Sequence, residues 1–130
     1  MQVNALDHLV LTVIEIERSC AFYRDILGMK HEIFRPPDGS VRNALCFGTQ
    51  KINLHLAGSE FEPNAHHPQS GSADLCFLTE EPLDDWQRHL FTRDVTIEEG
   101  PIQRTGATGP IMSLYIRDPD GNLIEIARPL

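Results

Sequence analysis

The same order of elements is written twice in this chain, and that repetition limits what it can fold into more than any other feature. The first copy opens on Leu6-Asp7-His8-Leu9-Val10-Leu11-Thr12-Val13, an aliphatic and β-branched run that predicts a strand. From Ile16 the period changes: Ile16, Cys20, Tyr23 and Leu27 fall on one helical stripe, while Arg18, Arg24 and Asp25 lie off it. Gly28 stands where a helix ends in a left-handed residue, so the spacing predicts a helix over 16–27. Lys30 to Arg35, Val41 to Phe47 and Ile52 to Leu56 read as three short strands suited to antiparallel hairpins. They are separated by Pro36-Pro37-Asp38-Gly39-Ser40 and by Gly48-Thr49-Gln50-Lys51.

A polar stretch from Ala57 to Ser72 follows, with Pro63, Pro68, Gly71 and the adjacent His66 and His67; it is long for a loop. Then the order repeats. Ala73 to Leu78 predicts a strand, and Thr79 with Pro82 three residues on resembles a helix start. Leu83, Trp86 and Leu90 supply that helix's apolar stripe. Val95 to Glu99, Ile111 to Arg117 and Leu123 to Arg128 predict three further strands, the last two joined by Asp118-Pro119-Asp120-Gly121-Asn122. His8-Leu9-Val10-Leu11 lies over Asp74-Leu75-Cys76-Phe77 at an offset of 66, and Ile52-Asn53-Leu54 over Ile124-Glu125-Ile126 at an offset of 72. The six-residue difference predicts an insertion in the Gln103–Gly109 loop. The expectation is an α+β chain of two tandem βαβββ modules, about 5–57 and 73–129, within one domain over 1–130.

Composition removes other classes. A chain of 130 residues leaves room for one ordinary domain. Lys and Arg number 11 against 19 Asp and Glu, a formal net charge of −8, which disfavours nucleic acid as a partner. No apolar run approaches the ~20 residues that span a bilayer, so no membrane association is expected. Residues 1–20 carry Asp7, Glu15 and Glu17 instead of a basic patch before an apolar block, so no secretory signal is read there. Cys20, Cys46 and Cys76 are odd in number, far apart and set in apolar segments. That predicts buried free thiols and a cytoplasmic protein.

Three motifs in order then carry a family resemblance: Asp7-His8 on the first strand, Phe22-Tyr23-Arg24-Asp25-Ile26-Leu27-Gly28 closing the first helix, and Asp118-Pro119-Asp120-Gly121-Asn122-Leu123-Ile124-Glu125 before the last strand. Together they resemble the vicinal-oxygen-chelate superfamily, which includes glyoxalase I, bleomycin-resistance proteins, fosfomycin-resistance enzymes, methylmalonyl-CoA epimerase and extradiol dioxygenases. The likeness covers residues 6–128. Lys51-Ile52-Asn53-Leu54-His55 and Gly71-Ser72-Ala73-Asp74-Leu75-Cys76 are most similar to small glyoxalase-domain proteins of undetermined substrate. The resemblance implies curled sheets forming an open barrel-like cavity with helices outside, one divalent ion in metal-binding members, and commonly a homodimer. Carried over by position, the ligand sites are His8, Asn53, Asp74 and Glu125. Glyoxalase-type members have His, Glu or Gln, His and Glu there, so two positions keep the pattern and two depart from it.

The residue types bear on that implied site. His8 offers a neutral imidazole and Glu125 a hard oxygen, a pair suited to Mn, Ni, Zn, Co or Fe(II). A charged Glu125 within Leu123-Ile124-Glu125-Ile126-Ala127 is costly in a barrel without a cation beside it, whereas a wet strand face would leave it solvated. Asp74 in place of imidazole favours harder ions such as Mn or Mg and counts against a two-His-one-carboxylate dioxygenase. Its bland role is a strand-start aspartate bonded to nearby backbone. Asn53 is a weak donor, but His55 lies roughly 6.6 Å further along the same strand face. His55 either replaces Asn53 as ligand or serves as general base and substrate partner. Arg104, beside Thr105-Gly106-Ala107-Thr108-Gly109, is placed to meet a substrate carboxylate. Cys76 shares a face with Asp74, and His31, His66, His67 and His89 read as surface positions. The function expected is a metal-dependent, glyoxalase-like lyase or isomerase on a small oxygenated substrate chelated through vicinal oxygens, with His55 and Glu125 catalytic. The alternative is a metal-free small-molecule binding or sequestering protein of the bleomycin-resistance type.

Overall fold

A computed structural model describes all 130 residues, and the chain divides into two compact units, Met1–Gly71 and Ser72–Leu130, here the first and second halves. The first half runs β1 (His8–Val13), α1 (Ile16–Asp25), β2 (Lys30–Phe34), β3 (Arg42–Phe47) and β4 (Gln50–Leu56). Its sheet has the order β1-β4-β3-β2, with β1 parallel to β4 and the other pairs antiparallel. The second half repeats this as β5 (Asp74–Leu78), α2 (Leu83–Thr92), β6 (Glu99–Thr105), β7 (Pro110–Arg117) and β8 (Leu123–Pro129), in the order β5-β8-β7-β6 with β5 parallel to β8. The class is α+β, as the duplication predicts: eight strands in two open four-stranded mixed sheets. Neither helix is long and apolar enough to cross a membrane.

Alternation along the strands decides which face is core. In the first half Leu11, Val13, Leu45, Ile52 and Leu54 point one way and are buried with Cys20 and Tyr23 of α1. In the second half Leu114, Ile116, Ile124 and Ile126 are buried in the same manner, and α2 contributes the fully buried Leu90. The intervening residues of each strand therefore occupy the opposite face, and most of the candidate chemistry sits there. α1 stops where expected: Gly28 at φ +73° lets the Gly28 and Met29 amides reach back to the carbonyls of Arg24 and Tyr23.

Two expectations need correction. The strand placed at Val95–Glu99 lies instead at Glu99–Thr105, so Gln103, Arg104 and Thr105 belong to β6 and not to a loop. The inserted residues are accordingly spread out. Phe34 pairs with Arg42 in the first half, eight positions apart, and Ile102 with Ser113 in the second, eleven apart, which places half of the six-residue difference between β6 and β7. A further irregularity falls between Glu99 and Ile102. The three cysteines are unpaired, but only Cys20 is buried; Cys46 is half-buried and Cys76 exposed. Both lie on the sheet face away from the core, where alternation outweighs the apolar character of their neighbours.

Asp118-Pro119-Asp120-Gly121-Asn122 is a structural staple. Asp118 Oδ1 accepts from the backbone N–H of Asp120 and of Asn122, each at 2.9 Å, and Oδ2 accepts from Asn122 Nδ2 at 2.7 Å. Asn122 Oδ1 in turn accepts the Ala73 N–H at 2.8 Å, and the Leu123 N–H donates to the Ala73 carbonyl. The turn before β8 thereby fixes the start of β5 and hence the register of Asp74 and Glu125.

Candidate functional site

Each half places two of the four candidate ligands on its outer sheet face, in the same relation. In the first half His8 pairs with Lys51 and Val10 with Asn53, so His8 and Asn53 are diagonal neighbours. In the second, Asp74 pairs with Leu123 and Cys76 with Glu125, the same diagonal. A strand spacing of about 4.8 Å and a two-residue rise of about 6.6 Å separate each pair of Cα atoms by roughly 8 Å. In neither half do three His, Cys, Asp or Glu side chains gather around one point.

His8 is half-open to solvent, and its Nδ1–H donates to Asp7 Oδ1 at 2.8 Å. A carboxylate only accepts, so the bond fixes the proton on Nδ1 and leaves the Nε2 lone pair available, as in metal-binding histidines. Asn53 Oδ1 is buried and has no hydrogen-bond partner. Asp74 is exposed at the first position of β5.

His55 stands opposite Thr12, 5% exposed, with Nδ1 buried and unpartnered. The ring of Phe61, from the 57–72 loop, lies edge-on to it at 5.4 Å, and the Arg42 guanidinium rests 4.0 Å from the centre of the Phe61 ring. Burial holds the His55 pKa below its ordinary value, and Arg42 adds to that while Glu60 opposes it. Neutral imidazole is the form favoured at pH 7. His55 thus lies against the edge of Phe61.

Glu125 is the centre of the second half's face. Ser113, fully buried, donates its hydroxyl to Glu125 Oε2 at 2.5 Å. Tyr115 and Cys76, its register partners on β7 and β5, flank Glu125 and feel its charge. Partial burial and the Glu125 charge push the Cys76 thiol up to about 11, although one side of the residue is open to solvent; it stays a neutral donor. Burial likewise raises the Tyr115 phenol. Arg104 Nε donates to Tyr115 Oη at 3.1 Å and Nη2 to Glu99 Oε1 at 3.1 Å, so the guanidinium is tied to the residue that pairs with Glu125 across the strands. A cavity of about 470 Å³ opens beside it, lined by Cys76, Leu78, Arg104, Ile111, Tyr115 and Glu125 among others, all of the second half.

Ser113 and Tyr115 escape a reading that looks only for ligands. Their signal is a polar pair two residues apart in the otherwise apolar Ile111-Met112-Ser113-Leu114-Tyr115-Ile116. His31, expected at the surface, is half-buried and hydrogen-bonded to Asn43 Oδ1 at 2.7 Å, on the core-facing side of its sheet. His66 and His67 are exposed, their rings edge-on at 4.7 Å, and His89 stacks edge-on with Trp86.

The donor chemistry fits a divalent ion. His8 presents a free nitrogen, Asn53 an orphaned buried carbonyl oxygen, Glu125 a carboxylate held from one side, and Asp74 an open carboxylate.

The sequence matches the profile of the Glyoxalase/Bleomycin resistance protein/Dioxygenase superfamily over residues 5–126. It is 52% identical over 128 residues to the virulence protein STM3117 of Salmonella typhimurium, covering 98% of this chain and 86% of that one. The crystal structure of STM3117 superposes with a TM-score of 0.91 over the full length of both chains. The glyoxalase domain-containing protein RDO1 of Mycosarcoma maydis is 50% identical over 127 residues, 98% of this chain and 69% of that one. A lactoylglutathione lyase from Agrobacterium tumefaciens, 23% identical, shares the fold alone at a TM-score of 0.72, with 98% of this chain and 95% of that one covered. Duplicated βαβββ halves, the three motifs and these similarities agree: the chain belongs to the glyoxalase, bleomycin-resistance and dioxygenase superfamily, that of the vicinal oxygen chelates.

Proposed function

We propose that the chain is a divalent-metal-assisted lyase or isomerase of the glyoxalase kind, acting on a small substrate held through two neighbouring oxygens. The observation that carries this reading is the clamp on Glu125, which aims a carboxylate beside a cavity of ligand size. His8 through Nε2, Asn53 through Oδ1, and Asp74 and Glu125 through carboxylate oxygens would hold the ion. When bound, a divalent ion supplies Lewis acidity toward the substrate's oxygens. Glu125 is the group placed to take a proton from the carbon beside the carbonyl. Tyr115, kept protonated, donates a hydrogen bond from the same wall. His55, kept neutral, is a second base, and Phe61 must turn aside before it touches a substrate. We place the protein in the cytoplasm as a homodimer. Its thiols are unpaired, and Val10 and Leu78 leave apolar surface exposed on the candidate faces.

A metal-free binding protein of the bleomycin-resistance type is the second reading, favoured by a cavity whose apolar wall, Leu78, Ile111 and Pro129, is already formed in the second half. Proton exchange separates the two. Small dicarbonyls and the hemithioacetal of methylglyoxal are incubated in D2O with protein loaded with Mn, Ni, Zn, Co or Fe(II), and deuterium at the carbon beside the carbonyl is read by NMR. The enzyme reading expects incorporation that Glu125→Gln abolishes. Saturable binding without incorporation under any ion supports the binder and overturns the enzyme.

A further inference from the structure

Arg104 is the only basic side chain lining the second half's cavity, in a chain whose formal net charge is −8. It is held in place: Nε bonds Tyr115 Oη, Nη2 bonds Glu99 Oε1, and the guanidinium carbon lies 5.5 Å from the centre of the Tyr115 ring. Those two bonds use two of the five N–H donors of a guanidinium and leave the Nη1 pair for an acceptor that the protein does not supply. Tyr115, whose hydroxyl accepts from Arg104, is the register partner of Glu125, and all three line the cavity. Leu78, Ile111 and Pro129 form the apolar part of the lining.

We propose that this cavity takes a small oxygenated carboxylic acid, its carboxylate on Arg104 and its remaining oxygens toward Glu125. The planar guanidinium matches a carboxylate in shape and charge, and its orientation is set before the ligand arrives. An aldehyde or alcohol of the same size would leave the charged donors poorly matched. A phosphate dianion fits less well, because Glu99 and Glu125 in the same network oppose a second negative charge. The placement of the far oxygens at Glu125 rests on the function proposed above; the seat for the carboxylate does not.

The test is calorimetric titration of the full chain with 2-oxobutanoate and with its methyl ester, each in the presence of Mn2+ and again in EDTA. The acid binds at least about tenfold more tightly than the ester. Arg104→Gln removes that difference, and Arg104→Lys restores only part of it, because an ammonium keeps the charge but not the fork. Equal affinity for acid and ester overturns the proposal, as does an acid preference that survives in Arg104→Gln. Absence of binding by either compound up to about 10 mM overturns it as well. An acid preference in EDTA with no response to Mn2+ upholds the carboxylate seat and counts against the metal reading. Mn2+ uptake without an acid preference does the reverse.

Discussion

A carboxylate that accepts a short hydrogen bond from a buried serine, with a tyrosine and a thiol beside it, is held in direction before anything binds to it. At Glu125 the serine bond is the one most open to test, because Ser113 is fully buried and its hydroxyl has no water to fall back on. Ser113→Ala is expected to weaken divalent-ion binding about 10- to 100-fold, the usual effect of losing an outer-shell partner, while Ser113→Thr keeps most of it. Equal affinities by calorimetry would remove the clamp from the account. His55 gives a second prediction. Its folded pKa lies below the unfolded value near 6.5, so the unfolded chain binds the proton more readily and stability falls as pH drops through that value. Urea unfolding between pH 7 and pH 5 should lose stability more steeply for the wild type than for His55→Gln. A parallel pair of curves contradicts it. At this scale the sequence shows less. Position and residue type pick out Glu125 and His55, but that one is clamped by Ser113 of β7 and the other roofed by Phe61 depends on partners 12 and 6 residues away in the chain, brought together by pairing and loop return.

At the scale of elements, alternation and turn chemistry were sufficient for most of the fold. The strand at β6 was not legible, for a physical reason. Val95-Thr96-Ile97 has strong β propensity, whereas Glu99-Gly100-Pro101 reads as a turn, yet pairing with β7 selects the latter for an edge strand that tolerates proline. Gly100 sits at φ +106°, and a Cβ there would lie 2.3 Å from the Ser113 carbonyl oxygen. Gly100→Ala is therefore expected to cost about 1–3 kcal/mol and to disturb the Ser113–Glu125 bond. The staple before β8 makes a stronger prediction. Asn122→Ala removes the acceptor of the Ala73 N–H and one donor to Asp118 Oδ2, a loss of about 1–3 kcal/mol. Urea unfolding measures the loss, and amide exchange at Ala73 should quicken; an unchanged Ala73 amide would mean that β5 is held by something else.

For the molecule as a whole, the duplication explains why each half carries a pair of candidate ligands in the same diagonal relation. Asn53 and Asp74 are the two departures from the glyoxalase pattern, one in each half; Asp74 puts oxygen where that pattern has imidazole, and Asn53 keeps an oxygen donor on a shorter, uncharged side chain. The preferred ion should shift accordingly, with Mn2+ raising the melting temperature at least as much as Zn2+ at matched concentration. We propose that His8 and Glu125 are each needed to keep a divalent ion. Elemental analysis of protein purified without chelator, beside His8→Ala and Glu125→Ala, addresses it directly. The account predicts close to one divalent ion per chain in the wild type and a loss of most of it in both variants. A wild-type chain that takes up none of Mn, Fe, Co, Ni, Zn or Mg, or variants that retain a full complement, would contradict it.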